Sequence, residues 1–255
     1  MLYRGGRQAG ARVWLPSQTE RVFSGVVMSQ DLPRPSWTIP RVPSIPTPTG
    51  AWNGDLWNGV TALAIDQFHP RSSAHRPQVH AKLAHDSTSL AIVWRVQDRL
   101  VLSRTTTVNG PVCTDSCVEF FFQPTSGPGY FNLEINAGGT PHCSWIEDCR
   151  IVDGGFAQMR FVDPADLAQM RIHHSQPAVV DPEVSGPQEW TVEAVIPLTV
   201  LQRYAGSGCQ LSGTWRGNLY KCADHTSGPH WAAWADVGET LRFHKPSHFA
   251  SLVFG

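Results

Sequence analysis

Tyr130–Asn136 reads YFNLEIN, and this stretch decides the fold class. Its apolar side chains, Phe131, Leu133 and Ile135, alternate with polar ones. Successive side chains of an extended chain point to opposite sides, so this alternation predicts a strand with one buried and one polar face. The polar positions are Asn132, Glu134 and Asn136.

The same pattern recurs on both sides of this stretch. Residues 116–123, 89–98, 189–197 and 215–221 each alternate apolar with polar positions, and turn-forming residues separate them. The helical signal is limited to residues 164–170, where Asp163 is a suitable N-cap, and residues 197–204, where proline stands at the first position. The sequence therefore predicts an all-β fold, an antiparallel β-sandwich of the jelly-roll or immunoglobulin-like kind with one or two short helices.

Composition excludes several classes of protein. Hydrophobic residues make up 41% of the 255 residues and charged ones 16%, with ten Trp and a formal net charge of −1. Disordered chains have few aromatic residues and high net charge, so a packed core is expected. Near-neutral charge without a basic run argues against nucleic acid or an anionic membrane surface as a partner. No apolar stretch reaches the about 20 residues that a membrane span needs.

The chain divides into three parts. Residues 1–27 carry four Arg and one acid, without the apolar core of a secretory signal, which predicts a disordered or over-extended N-terminus. Residues 28–50 are rich in proline and predict an extended lead-in. Residues 51–255 form the predicted domain. The expected location is the cytoplasm by default, and export if the true start of translation lies upstream.

The polar faces of the strands predict a binding surface. They carry planar hydrogen-bonding groups: Arg95, Gln97, Glu119, Asn132, Glu134, Glu193, Arg216 and Asn218. If the strands are neighbours, these side chains form one platform, either a structural network or a surface that recognises a saccharide. Trp231 and Trp234 lie in a loop-like segment and could stack on a sugar ring. Packing is the expected role of Trp52, Trp57, Trp94, Trp145, Trp190 and Trp215.

A series of motifs resembles the family 9 carbohydrate-binding modules, which are β-sandwiches of the DOMON-like type. It runs DSCVEFFFQP, GYFNLEINAGGT, EWTVEAVIPL, WRGNLYKCAD, PHWAAW and FHKPSHFASLVF, and the match covers residues 55–255. The resemblance implies non-catalytic binding of a saccharide held between two tryptophans, and a structural calcium ion. Motif by motif, it assigns sugar contacts to Glu119, Asn132, Glu134 and Asn218. Cys113 stands where the family has one stacking Trp.

The predicted carbohydrate-binding residues are therefore Glu119, Asn132, Glu134, Arg216, Asn218, Trp231 and Trp234, with no catalytic residue. One alternative is a glycoside hydrolase or lyase that uses two of Glu119, Glu134 and Glu193 as acid and base. It is disfavoured because Arg95 and Arg216, on the same predicted face, would keep these acids ionised. Another alternative is a sandwich that docks a partner protein.

Cysteine and histidine leave several metal and disulfide hypotheses open. Six cysteines permit disulfides, and Cys143 could pair with Cys149 across a hairpin in an oxidising compartment, but the missing secretion signal favours free thiols. No CxxC pair exists, so a zinc ribbon is not expected. Near the C-terminus, metal-ligating types also occur at Cys222, His225, His230, His244 and His248. The acids available for calcium are Asp55, Asp66, Asp86 and Asp98, without an assigned ligand set.

Overall fold

The computed structural model describes residues 34–124 and 127–255, so the predictions for residues 1–27 lie outside the described part of the chain. Two β-sheets pack face to face. Within each sheet, the described strands pair antiparallel, except for one parallel pair at an edge of the larger sheet. The prediction of an all-β sandwich with two short helices is confirmed.

Sheet A has nine strands, in the order β1-β14-β12-β6-β7-β8-β9, with β13 beside β12 and β3 beside β13. Sheet B has five strands, in the order β10-β11-β5-β4-β2. The strands of sheet A are β1 Ser36–Ile39, β3 Gln67–Phe68, β6 Cys117–Gln123, β7 Tyr130–Asn136, β8 Pro141–Val152, β9 Gly155–Phe161, β12 Thr214–Cys222, β13 Trp231–Ala233 and β14 Ala250–Phe254. Those of sheet B are β2 Leu63–Ala64, β4 Gln78–His85, β5 Ser89–Ser103, β10 Arg171–His174 and β11 Val180–Pro197. The helices are α1 Pro164–Leu167 and α2 Leu198–Ala205.

The apolar faces predicted from the alternation meet between the sheets. Phe120 and Phe122 of β6 stack at 4.5 Å between ring centroids, and Trp215 of β12 lies parallel to Phe122. Trp94 and Trp190 of sheet B are fully buried in the same core. Full burial of side chains of this size is the main favourable term for such a fold, at roughly 25 cal/mol per Å² of apolar surface.

Both predicted helices form where the sequence indicated. The Asp163 carboxylate accepts a hydrogen bond from the Ala165 amide at 2.8 Å and caps α1. Pro197 precedes α2, and Gly206 ends it with a positive φ of 88°. No helix among the described residues is both long enough and apolar enough to span a membrane.

The single polar platform predicted from the sequence is wrong, because its residues are divided between the two sheets. Strands β5 and β11 pair with each other in sheet B, whereas β6, β7 and β12 are neighbours in sheet A. The outer face of sheet B carries Arg95, Gln97 and Glu193, and that of sheet A carries Glu119, Asn132, Glu134, Arg216 and Asn218. The two sets face away from each other.

Residues 41–60 cover the outer face of sheet B. Within them, the amides of Thr49 and Gly50 and the indole N–H of Trp57 donate to the Glu193 carboxylate at 2.7 to 3.0 Å. The Lys82 ammonium lies 4.5 Å from the centroid of the Trp52 ring and donates to two backbone carbonyls. The described part of the proline-rich lead-in also supplies β1, which pairs in parallel with β14. Residues 34–50 are therefore packed on the sandwich.

All six cysteines are free thiols. The hairpin disulfide considered for Cys143 and Cys149 is wrong, because both residues lie on one strand, β8. Six residues of strand span about 20 Å, and a disulfide needs Cα atoms within about 7 Å.

Candidate functional site

The candidate site is at one end of the outer face of sheet A. The strand register there aligns Trp231 with Cys222, and Cys222 with Cys117. The adjacent row aligns Glu119 with Glu134, and Glu134 with His142. Neighbouring strands lie about 4.8 Å apart, so each pair is within contact distance. We call this the Glu119 site, and its residues are Cys113, Cys117, Glu119, Glu134, Cys222, Asp224 and Trp231.

Two buried carboxyl groups face each other in the site. Glu119 is 2% exposed and Glu134 is 7% exposed. The Cys222 thiol donates to Oε1 of Glu119 at 2.7 Å, whereas no described residue donates a hydrogen bond to Glu134. Burial, and next the negative charge of Glu134, raise the pKa of Glu119 well above its usual value. The site thus contains a carboxyl group that favours its neutral form beside one with unused acceptor capacity.

Three half-buried residues form the rim: Cys113, Asp224 and Trp231, the first residue of β13. The indole N–H of Trp231 donates to the Asp224 carboxylate at 2.6 Å, which fixes the orientation of the ring. The amide of Asp224 in turn donates to the carbonyl of Cys113 at 3.3 Å. Burial raises the pKa of Asp224 to about 6, although the bond from Trp231 opposes the shift. The rim is therefore ordered by its own hydrogen bonds.

The rest of this face is covered by the segment 236–249. The rings of Tyr220 and Phe243 stack at 4.1 Å between centroids, and the Tyr130 hydroxyl is 2.8 Å from Nδ1 of His244. Arg216 donates to the carbonyls of Pro246 and Phe249, at 2.9 and 3.1 Å. These bonds hold the segment on the sheet, and a saccharide contact of Arg216 stays a prediction.

The chain matches the family model described as Carbohydrate-binding family 9 over residues 57–254. It belongs to carbohydrate-binding family 9. This confirms the resemblance drawn from the motifs and the prediction of a carbohydrate-binding module. No curated protein matches the chain.

Solved structures of similar fold include other carbohydrate-binding proteins. A protein from Bacteroides uniformis with a proposed role in carbohydrate binding is 26% identical, with a TM-score of 0.76 over 87% of this chain and 100% of that one. A family 9 module from Caldicellulosiruptor kristjanssonii in complex with glucose is 16% identical, with a TM-score of 0.56 over 86% of this chain and 96% of that one. A structure of a family 9 module from the same organism in complex with cellotriose is 15% identical, with a TM-score of 0.57 over 86% of this chain and 93% of that one.

Two other residues predicted for the family 9 site, Asn218 and Trp234, contact other parts of the protein itself. The Asn218 amide donates to the carbonyl of Ala235 at 2.8 Å, and its oxygen accepts from the amides of Ala235 and Leu219. Trp234 is 7% exposed and packs in the core between the sheets, so it is not a loop ring available for stacking. Both placements follow from the segment after β13, which runs inward against β12.

Sheet register brings together three of the seven predicted residues: Glu119, Glu134 and Trp231. Asn132 lies two residues from Glu134 on the same face of β7, opposite Phe121 and Ser144. Its side-chain oxygen is buried without a hydrogen-bond partner. The sequence reasoning missed Asp224 and Cys117, and it grouped Cys222 with the C-terminal histidines. Their alternation with buried residues placed the thiols on this face, but only the pairing of β6 with β12 shows that they are neighbours.

Within the described structure, the four acids considered for calcium do not gather in groups of three or more with other acidic, histidine or cysteine side chains. The Asp86 carboxylate accepts from the amides of Ile45, Thr88 and Ser89, and Asp98 is bound to His75 at 2.6 Å. In residues 34–124 and 127–255, no three metal-ligating side chains gather at any of these acids. A calcium site at any of these acids would therefore need backbone or amide carbonyls as further ligands, and calcium binding stays a prediction.

The C-terminal histidines do not gather around a metal either. Nε2 of His230 is 2.9 Å from the buried Lys221 ammonium, on the inner side of sheet A. His244 contacts Tyr130, and Nδ1 of His248 is 3.0 Å from the carbonyl of Asp236. His230 precedes β13, whereas His244 and His248 belong to the segment 236–249, and each of the three has a different partner.

Proposed function

We propose that this family 9 domain binds a saccharide at the Glu119 site and performs no bond chemistry. The observation that carries the proposal is the side chain of Glu134, a residue only 7% exposed that lies opposite Glu119 and accepts no side-chain hydrogen bond from the described residues. A carboxylate with unused acceptor capacity can take a hydrogen bond from a sugar hydroxyl. Relatives of the same fold crystallised with glucose and cellotriose support a saccharide as the ligand class.

The dimensions of the site suit one sugar ring. Trp231 and Glu134 are separated by three strand spacings, about 14 Å across the sheet, and by two residues, about 7 Å, along the strands. The half-buried Trp231 ring offers an apolar face for the C–H side of a pyranose. Glu134 and Asp224 supply acceptors for hydroxyl groups on either side. Since Cys113 stands where the family has a second Trp, we propose that the ring stacks on one side only.

The structure changes the argument against catalysis. Arg95 lies on the other sheet and Arg216 binds backbone carbonyls, so the expectation that they keep the acids ionised is wrong. Glu193 accepts three hydrogen bonds from residues 49–57, on the opposite side of the sandwich. What supports a non-catalytic role is the position of Glu119, which is 2% exposed and bonded to the Cys222 thiol, where a glycosidic oxygen cannot reach it.

Calorimetric titration with glucose and cello-oligosaccharides tests the proposal. Glu134→Gln and Trp231→Ala should each weaken binding about 10-fold or more, since a hydrogen bond to a charged group or a stacked ring contributes about 1.5 kcal/mol or more. Trp231→Phe should retain most of the affinity because it retains a stacking face. Glu189→Gln, at an exposed position of sheet B, serves as the matched control. Equal affinity of all variants would refute the site, and release of reducing ends would show catalysis.

A further inference from the structure

A compact set of three metal-ligating side chains lies at the floor of the Glu119 site. The Sγ atoms of Cys117 and Cys222 and a carboxylate oxygen of Glu119 all lie within 4.8 Å of one another. All three residues are buried, at 0 to 2% exposure. Cys117 and Cys222 are directly opposite on β6 and β12, and Glu119 is the next residue of β6 on the same face. Rigid strands therefore hold the donor atoms in place.

The surroundings of this set are rich in acids. Glu134, a residue only 7% exposed, lies opposite Glu119. Cys113 and Asp224 adjoin the set, since the Cys222 thiol lies 3.5 Å from the Cys113 carbonyl. The buried Lys221 side chain points to the other side of the sheet, where it meets His230. Thus three thiols and three carboxyl groups, four of them on buried residues and two on half-buried ones, lie close together, an arrangement that a bound cation would stabilise.

We propose that Cys117, Glu119 and Cys222 form a binding site for a thiophilic divalent cation of the Zn²⁺ class. Two thiolates and one carboxylate favour such an ion over Ca²⁺ or Mg²⁺, which prefer oxygen ligands alone. Zn–S and Zn–O bonds of about 2.3 and 2.1 Å place tetrahedral ligands roughly 3.5 Å apart, so the donors need to move by only about 1 Å. The three protein ligands leave a fourth position for water or another ligand.

The proposed metal site does not depend on saccharide binding. Its ligands do not form a CxxC motif in the sequence. Cys117 and Cys222 are separated by more than a hundred positions in the chain, and the pairing of β6 with β12 makes them neighbours. The expectation of no zinc ribbon is unaffected, since this is an isolated site on a sheet face.

Titration of the reduced, chelator-treated full chain with Co²⁺ and then Zn²⁺ tests the proposal. All six thiols should first be counted under denaturing conditions. One equivalent of Co²⁺ should produce thiolate-to-metal charge-transfer absorption, which Zn²⁺ should displace and excess Ca²⁺ should not. Cys117→Ser and Cys222→Ser should each weaken binding about 100-fold or more and remove most of the charge-transfer band.

Cys209→Ser is the matched control, because Cys209 is equally buried but lies outside the site. Glu119→Gln should weaken Co²⁺ binding while keeping both thiolate bands. Circular dichroism and thermal unfolding show which variants are folded. A folded wild-type chain without a charge-transfer band would overturn the proposal, as would equal affinity of the two site variants and the control. Saccharide titration of the same samples is a separate measurement, so failure of either proposal is recognisable.

Discussion

Replacement of Glu193 by Gln should destabilise the protein without changing saccharide affinity. The carboxylate is 2% exposed and accepts three hydrogen bonds: Oε2 from the amides of Thr49 and Gly50 at 2.9 and 2.7 Å, and Oε1 from the Trp57 indole at 3.0 Å. Glutamine has nearly the same shape but only one oxygen. Whichever way it turns, its NH₂ group faces a donor.

The magnitude follows from the best orientation of the new side chain. With the amide oxygen toward Thr49 and Gly50, the NH₂ group meets the N–H of Trp57, which is 2% exposed and has no water to replace the lost acceptor. A buried unsatisfied donor costs about 1 to 3 kcal/mol, and loss of the charge weakens the remaining two bonds. We expect the free energy of unfolding to fall by about 2 to 4 kcal/mol.

Urea unfolding followed by circular dichroism measures this loss, and limited proteolysis between residues 41 and 60 shows whether that segment detaches. The matched control is Glu189→Gln on the same strand, where an exposed carboxylate accepts from Gln97 at 3.0 Å and a change within about 0.5 kcal/mol is expected. A loss at Glu193 no larger than at Glu189 would refute the reasoning. Reduced saccharide affinity of folded Glu193→Gln would contradict the separation of the two outer faces.

Two further predictions concern the outer face of sheet A. Burial, and next the positive charge of Arg242, lower the pKa of His244 from 6.5 to about 3. Between these pH values the unfolded chain binds a proton on His244 that the folded chain does not. The free energy of unfolding should therefore fall by up to about 2 kcal/mol between pH 7 and pH 5. Urea titrations at both pH values should show a smaller fall in His244→Gln, and an equal fall would count against this role of His244. Asn218→Ala leaves both polar groups of the Ala235 backbone without their side-chain partner and should lower the free energy of unfolding by about 2 to 4 kcal/mol. Saccharide affinity of the folded variant, measured by calorimetry, should be unchanged, and a large loss would restore Asn218 to the binding site.

Much of the fold could be predicted because the relevant signals are local. The alternation in YFNLEIN gave the observed bounds of β7, and Asp163 marked the start of α1. The site was harder to predict. Asn218 and Arg216 have residue types suited to binding sugars, yet both bind backbone carbonyls of segments distant in sequence. The type of a residue and the sheet face on which it lies do not reveal which segment of the chain covers that face.

The sequence by itself determined which side chains share a face within each strand, because a period of two follows from the geometry of an extended chain. It also determined the sandwich, since strands with one apolar face must bury that face against another sheet. Only the tertiary structure decided which strands are neighbours. That choice placed Glu193 opposite to Glu119, and it brought Cys117, Cys222 and Trp231 together. Strand order depends on long-range pairing, whose free energy comes from contacts that no local pattern encodes.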